Sequence, residues 1–205
     1  MREPIRIAVL VSGGGTNLQA LIDAEKSGAL SSGQICLVVS SRPDAFALIR
    51  AAQDGIPTAV CARGNTPLQT DFEARLLTLL REYRIELIVL AGFLSILSPD
   101  FIRQYPDRIL NVHPSLIPSF CGKGFYGLRV HQAALSYGVK VTGATVHFVN
   151  EIPDGGRILL QKAVSVREDD TPEVLQKRVM EEAEWILLPA ATEMVSAKLR
   201  KESEK

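Results

Sequence analysis

Short apolar runs alternate with amphipathic stretches along the first half of the chain. The runs span 6–12, 35–40, 58–61 and 87–91, and the amphipathic stretches begin near Asn17, Asp44 and Phe72. Runs that are apolar on both faces are typical of strands buried in a parallel sheet, and apolar residues at every third or fourth position indicate helices packed on that sheet. The alternation therefore predicts a doubly wound α/β fold, with helices on both faces of a mostly parallel, twisted sheet.

The second half of the chain changes this pattern. A short strand ends near His113, a helix is predicted over 130–137, and two further strands span 140–149 and 157–166. The segment 150–156 between those strands is too short for a parallel crossover, so we expect an antiparallel hairpin. Thr171, Pro172 and Glu173 then cap a long final helix that extends to about Leu199.

Length, charge and cysteine content restrict the classes of protein further. A chain of 205 residues fits one domain. Lys plus Arg and Asp plus Glu number 23 each, so the balanced charge gives no reason to expect a nucleic acid or an anionic membrane surface as a partner. No apolar run approaches the ~20 residues of a membrane-spanning helix, and the charged start at 1–4 predicts no signal peptide. Cys36, Cys61 and Cys121 are widely spaced without a C-x-x-C pair, which favours a reducing cytoplasm and no zinc site.

The first candidate site is the glycine-rich turn after the first strand. Gly13, Gly14, Gly15 and Thr16 lead from that strand into a helix, and such a turn presents backbone N–H groups and the positive end of the helix dipole to an anion. Gly13 and Gly15 match the first half of the dinucleotide pattern G-x-G-x-x-G, but Leu18 stands where the third glycine would be. A single phosphate monoester is therefore the predicted ligand. The alternative is a tight turn that needs glycine for backbone reasons alone.

The second candidate site is the end of the strand that carries Asn111 and His113. The two residues are two positions apart, so their side chains point to the same face of a strand. Pro114 ends the strand because it cannot donate a hydrogen bond to a neighbouring strand. A donor amide and an imidazole that titrates near neutral pH are thus predicted side by side at the edge of a sheet.

The third candidate site is Asp154, in the Pro-Asp-Gly-Gly segment of the predicted hairpin. An Asp before Gly is by itself typical of a turn, so its chemistry depends on what lies beside it. His131 and His147 show no metal-ligand spacing with each other, with His113 or with the cysteines, and we interpret both as structural.

These motifs resemble those of the glycinamide ribonucleotide formyltransferases, a branch of the folate-dependent formyltransferase superfamily. The matching segments are Ser12–Gln19, Val89–Leu94, Ile96–Pro99, Asn111–Pro118, Gly143–His147 and Asp154–Gly156. The Asn-x-His-Pro-Ser-Leu-x-Pro and Asp-Gly-Gly segments are specific to the superfamily, and the glycine loop with the chain length narrows the resemblance to this branch. The resemblance implies a Rossmann-like single domain over 1–205, with a phosphate-binding half at about 1–105 and a folate-binding, catalytic half at about 106–200.

The resemblance also implies a reaction. A formyl group would move from 10-formyltetrahydrofolate to the amine of 5′-phosphoribosylglycinamide in purine biosynthesis, without a metal, through a tetrahedral intermediate that carries an oxyanion. Asn111 would donate a hydrogen bond to the oxyanion. His113 would donate to it or shuttle a proton, and Asp154 would support His113 and raise its pKa.

Substrate contacts follow from the same resemblance. The residues that match the loop for the ribonucleotide phosphate are Gly13, Gly14, Gly15, Thr16 and Asn17. Glu184 matches a carboxylate that contacts the glycinamide, with a solvated face of the last helix as the alternative. The residues expected to line the folate slot are Leu94, Ser95, Ile96, Leu97, Asn111, Asn150, Glu151, Ile152, Pro153 and Asp154.

Several alternatives remain open at this stage. Formyltetrahydrofolate hydrolases share the three catalytic residues and direct water at the formyl group, but they carry an extra N-terminal domain, and the first strand here is predicted at about residue 5. Methionyl-tRNA formyltransferases carry an extra C-terminal domain and need a basic surface. An NADP-binding oxidoreductase, or a non-catalytic nucleotide-binding module, would use the glycine loop differently. The sequence is compatible with a monomer or a homodimer.

Overall fold

The structure is a computed structural model that describes residues 3–62 and 68–203; residues 1–2, 63–67 and 204–205 lie outside that description, and with them part of the prediction made for 1–4. The strands are β1 (Ile5–Val11), β2 (Gly33–Ser40), β3 (Thr58–Val60), β4 (Leu87–Leu90), β5 (Ile109–His113), β6 (Val141–Phe148) and β7 (Ile158–Ser165). The helices are α1 (Thr16–Ser27), α2 (Phe46–Gln53), α3 (Gln69–Glu82), α4 (Pro99–Ile102), α5 (Leu128–Tyr137), α6 (Pro172–Val179) and α7 (Trp185–Glu202).

The strands that the described residues form lie in one sheet, in the order β3-β2-β1-β4-β5-β6-β7. Strands β1 to β5 pair in parallel, whereas β6 pairs antiparallel with both β5 and β7. The predicted doubly wound sheet and the predicted hairpin are therefore confirmed. The strand order reverses between β1 and β4, and open α/β sheets bind ligands beyond the carboxyl ends of the strands at such a point.

The sheet carries a hydrophobic core on each face. Ile7 and Val9 of β1 face one core, and Ala8 and Leu10 face the other, because successive side chains of a strand point to opposite faces. Helices α1, α2, α6 and α7 cover the first core, and α3 and α4 cover the second. Among the helices of the described ranges, none is both long and apolar enough to cross a membrane.

The final helix differs from its prediction. Instead of one regular helix from Thr171 to about Leu199, α6 and α7 are joined by a π-helical turn, Met180–Glu184. Pro189 lies inside α7 and has no N–H, so it cannot donate to the carbonyl one turn earlier. A π-helical turn adds a residue to the helix, which rotates the side chains that follow it. The turn ends at Glu184, and that side chain is buried rather than on the solvated face.

The burial pattern of α7 yields a stability prediction. Leu188 is 0% exposed in the core, whereas Ile186, on the opposite side of the same helix, is 50% exposed. We expect Leu188→Ala to lower the free energy of unfolding by about 2–5 kcal/mol, because it leaves a cavity in the core. Ile186→Ala, the matched control, should change it by less than about 1 kcal/mol. Urea unfolding measures both values, and equal losses would contradict the assigned packing.

Candidate active site

The pairing of β5 with β6 brings the first polar groups of the site together. Asn111 lies opposite His147 in the antiparallel register, and His113 lies opposite Thr145. The Asn111 Nδ2 atom is 3.2 Å from His147 Nε2. Since strand neighbours on one face are in contact, the site is built from both strands and not from β5 alone.

Asp154 completes this cluster from the loop that follows β6. Its Oδ2 atom lies 3.4 Å from His113 Nδ1, and its Oδ1 atom lies 3.6 Å from His147 Nε2. The N–H of Gly122 also donates to Asp154 Oδ2, at 2.8 Å. The structure thus brings together Asn111, His113 and Asp154, the three residues singled out from the sequence.

Backbone geometry explains why Asp154 is followed by two glycines. Asp154 itself adopts a left-handed conformation with φ of 55°, which Asp tolerates better than most residues. A Cβ atom at Gly156 would lie 1.7 Å from the carbonyl oxygen of Phe148, so only glycine fits there. The tight approach of the two chain segments fixes where the carboxylate points.

His113 is held on both sides. Its Nε2 atom is 2.9 Å from the carbonyl oxygen of Phe120, and because that oxygen can only accept, Nε2 carries the proton. A second proton on Nδ1 then turns the ring into an imidazolium that faces Asp154. Burial lowers the pKa of His113, and the nearby Asp154 charge opposes that effect without reversing it. Asp154 acts on the pKa of His113 in the expected upward direction, but the net pKa is lowered because desolvation is the larger effect.

His147 was interpreted as structural from the sequence, and the structure places it in the cluster. Its Nδ1 atom is 2.8 Å from the carbonyl oxygen of Phe148, so Nδ1 is the protonated nitrogen and Nε2 accepts from the Asn111 amide. This contact fixes the orientation of the Asn111 side chain. No local signal in the sequence marks His147, because its place opposite Asn111 depends on β6 lying next to β5 in the sheet.

The electrostatics of Asp154 favour the carboxylate form. Burial alone would raise the pKa of the Asp154 carboxyl group. The nearby His147 side chain, the charge of His113 and the Gly122 N–H outweigh burial and lower this pKa below its ordinary value. Asp154 is therefore ionised at neutral pH.

The cluster lies at one end of a cleft. Asn111, His147 and Asp154 line the cleft, while His113, which is 4% exposed, lies behind them. The other lining residues are Leu90, Phe93, Ser95, Ile96, Leu97, Ile102, Val149, Asn150, Glu151, Ile152 and Pro153. These include every residue expected for the folate slot except Leu94. The Leu94 side chain is 63% exposed outside the lining, and its N–H donates to Ser12 Oγ at 2.9 Å.

The glycine loop, Gly13–Gly15, forms a second polar region beyond the end of β1. Gly15 has φ of 73°, and α1 begins directly after it at Thr16. The Asn17 Nδ2 atom in the first turn of α1 donates to Glu184 Oε2 at 2.7 Å, which ties the loop to the π-helical turn. Asn17 Oδ1 is buried and has no hydrogen-bond partner.

Glu184 is a buried acid and not part of a solvated helix face. It is 6% exposed, and burial raises its pKa to about 7, although the hydrogen bond from Asn17 acts in the opposite direction. The alternative of an exposed position is therefore wrong. Together with Asn17 Oδ1, it presents acceptor groups beside the loop that the sequence identifies as an anion site.

No metal site is found in the part of the chain that the structure describes: no three of its His, Cys, Asp and Glu side chains are arranged to hold an ion. The arrangement of the cluster provides a donor amide, a titratable imidazole and an ionised carboxylate around one end of a cleft.

Comparisons with known proteins agree with this arrangement. The formyl transferase family model matches residues 5–192. A phosphoribosylglycinamide formyltransferase from Haemophilus influenzae is 42% identical over 177 residues, which cover 86% of this chain and 81% of that protein. The trifunctional purine biosynthetic protein adenosine-3 of Gallus gallus is 44% identical over 94% of this chain, but the chain spans only 18% of its length.

A solved structure of a related protein has the same fold as this chain. The crystal structure of glycinamide ribonucleotide transformylase 1 from Symbiobacterium toebii superimposes with a TM-score of 0.89 and is 40% identical, covering 95% of this chain and 89% of that one. The match to the family model spans the sheet, the cluster and the glycine loop. The chain therefore belongs to the formyl transferase family, and within it to the phosphoribosylglycinamide formyltransferases.

Proposed function

We propose that this protein transfers the formyl group of 10-formyltetrahydrofolate to the amine of 5′-phosphoribosylglycinamide. The products are 5′-phosphoribosyl-N-formylglycinamide and tetrahydrofolate, and the reaction belongs to purine biosynthesis. The observation that carries the proposal is the cluster at the end of a cleft in which Asp154 lies beside His113 and His147 connects it to Asn111, in a chain of this family. The named activity of the relatives supports it.

The chemistry of the transfer needs no nucleophilic side chain. The amine nitrogen attacks the formyl carbon and forms the new C–N bond, and the bond from that carbon to the folate nitrogen then breaks. The amine loses one proton and the folate nitrogen gains one, so the atoms balance. Between these steps the formyl oxygen carries a negative charge, which buried donors stabilise.

Asn111 is proposed as the donor to this oxyanion. One Nδ2 proton is directed at His147 Nε2, which leaves the second Nδ2 proton for the cleft. Since His147 fixes the amide, the donor is in place before the charge develops. Comparable donors contribute about 3 kcal/mol to transition-state stabilisation.

Asp154 and His113 are proposed to handle the proton. Asp154 lines the cleft as a carboxylate, so it can accept the proton that the attacking amine loses. His113 lies behind it at 3.4 Å, and its imidazolium form is stabilised by that carboxylate. The pair thus exchanges a proton near the formyl carbon without a large change in net charge.

The acceptor substrate is proposed to bind at the glycine loop. Its phosphate would contact the N–H groups of the loop and of the first turn of α1, where the helix dipole favours an anion. Its glycinamide N–H groups would meet Glu184 and the unpartnered Asn17 Oδ1. The folate would occupy the cleft between Ser95–Leu97 and Asn150–Asp154, which has an apolar side near Leu90, Ile96 and Ile102.

The first prediction concerns the acceptor. With 10-formyltetrahydrofolate as donor, we expect turnover with 5′-phosphoribosylglycinamide at least about a hundredfold above turnover with water, because the amine attacks a bound donor in an oriented complex. Spectroscopic detection of tetrahydrofolate, with and without the acceptor, measures both rates. Equal rates would instead identify a hydrolase, and oxidation of a nicotinamide cofactor would identify an oxidoreductase.

The second prediction concerns the catalytic cluster. We expect His113→Ala and Asp154→Asn each to lower kcat at least about a hundredfold, because each removes a group that handles the proton. Asp107 is a matched control, because it is an exposed Asp with a similar left-handed backbone, φ of 54°. Its Oδ1 atom also lies near a cationic side chain, 3.9 Å from Arg157 Nη2. Asp107→Asn should keep wild-type turnover. Near-normal kcat in both cluster variants, with thermal unfolding unchanged, would refute the assigned roles.

The third prediction uses the raised pKa of Glu184. In the unfolded chain this group ionises near its ordinary pKa of 4.5, whereas in the folded protein it stays protonated until about pH 7. The unfolded state therefore loses its proton first, and stability falls as pH rises from about 4.5 to about 7. Glu184→Gln should remove this loss. The unfolding free energy of the variant minus that of wild type should therefore increase from about pH 4.5 to about pH 7. Glu182→Gln, an exposed control on the same turn, should show the same pH dependence of unfolding free energy as wild type. Urea unfolding at several pH values measures these curves, and parallel curves for Glu184→Gln and wild type would refute the raised pKa.

A further inference from the structure

Helix α2 holds the glycine loop from one side. The N–H of Ala47 donates to the carbonyl oxygen of Gly13 at 3.1 Å, and Arg50 Nε donates to the carbonyl oxygen of Gly14 at 2.9 Å. A Cβ atom at Gly15 would lie 2.6 Å from Ala47 Cβ, so the loop and the helix are in close contact at this point. Two successive carbonyl groups of the loop therefore point toward α2.

Because the peptide bond is planar, the direction of these carbonyl groups also sets the direction of the N–H groups that follow them. In a trans peptide the C=O of one residue and the N–H of the next point in opposite directions. The Gly14 N–H therefore points away from Ala47, and the Gly15 N–H points away from Arg50. Successive backbone N–H groups that converge on one side form an anion-binding concavity.

The loop is exposed at Gly13 and Gly14. A Cβ atom built at Gly13 or at Gly14 would meet no other atom within 4 Å. Among the described residues, no backbone acceptor is bonded to the N–H of Gly14 or Gly15. Both N–H groups, which lie next to the first turn of α1, are thus unused by the backbone.

The Arg50 side chain is held in place by contacts with α1 and α2. Its Nη1 atom donates to Gln19 Oε1 at 3.1 Å, and its guanidinium lies 5.1 Å from the centre of the Phe46 ring. Gln19 is on α1. The Arg50 side chain therefore connects α2 to the glycine loop and to the helix that follows the loop. In the described ranges it is the only cationic side chain hydrogen-bonded to the glycine loop.

We propose that Arg50 is a positioning residue for the phosphate of the acceptor substrate, an inference that rests on the proposed function. By holding the Gly14 carbonyl, it turns the Gly15 N–H toward the phosphate. Its positive charge also lies one peptide unit away from the N–H group that would hold the phosphate dianion, and it attracts that dianion. The ligand class that this arrangement recognises is a phosphate monoester.

The test compares two substitutions at Arg50 with one elsewhere. Arg50→Met keeps the apolar stem and removes the guanidinium, and Arg50→Lys keeps the charge. Arg81→Met is the control, since Arg81 also donates to a glutamine amide oxygen, at 3.0 Å, but lies on α3. The measured quantities are kcat, the KM for 5′-phosphoribosylglycinamide, the KM for 10-formyltetrahydrofolate and the Ki of inorganic phosphate.

We expect Arg50→Met to raise the KM for the phosphorylated acceptor and the Ki of phosphate about tenfold or more, as the loss of one charge-assisted hydrogen bond predicts. The KM for the folate and kcat should stay within about twofold of wild type, Arg50→Lys should recover part of the loss, and Arg81→Met should behave as wild type. A loss of folded protein would instead lower the apparent kcat and leave both KM values and the Ki of phosphate unchanged. An unchanged Ki of phosphate, or an equal rise in both KM values, would overturn the proposal.

Calorimetric titration with inorganic phosphate separates this inference from the proposed reaction, because it needs no turnover. If wild type binds phosphate and Arg50→Met does not, the role of Arg50 stands even where formyl transfer to this acceptor fails. If both proteins bind phosphate equally, the role of Arg50 fails even where the transfer is confirmed.

Discussion

The antiparallel pairing of β5 with β6 is the constraint on which the rest of the site depends. A parallel partner for β5 would come through a crossover connection and would bring no return loop to this edge of the sheet. The antiparallel partner instead sets His147 opposite Asn111 and ends in the loop that carries Asp154. The donor amide, the imidazole pair and the carboxylate are therefore consequences of one strand direction, and the parallel half of the sheet serves to hold β5 in register.

Backbone restrictions then fix the details that side-chain chemistry needs. Gly156 lies so close to Phe148 that no side chain fits, and Asp154 takes its left-handed conformation in the same turn. Gly15 has the same kind of restriction where α1 begins against Ala47. At both places the position of a functional group is set by the path of the main chain, which explains why glycine-rich segments flank the two polar regions.

The parts of this protein that depend on local patterns could be predicted from its sequence. The strands, the hairpin and the shared face of Asn111 and His113 follow from hydrophobic period and connection length. The place of His147 could not, because it depends on which strand lies next to β5. Nor could the burial of Glu184, which depends on an extra residue in a helix turn and on packing against α1, or the sign of the His113 pKa change, which reflects how deeply the ring is enclosed.

Ser12 shows how the two polar regions are joined. Its Oγ atom is 2.6 Å from Ser41 Oγ and accepts the N–H of Leu94 at 2.9 Å. One hydroxyl group thus fastens the segments that leave three neighbouring strands, β1, β2 and β4, at the point where the sheet changes winding direction. The separation between the glycine loop and the cleft is consequently set by short hydrogen bonds between these segments. In the proposed reaction the phosphorylated acceptor and the folate would bind at regions held together in this way, so the entropy of bringing them together would be lost on binding rather than during the chemical step.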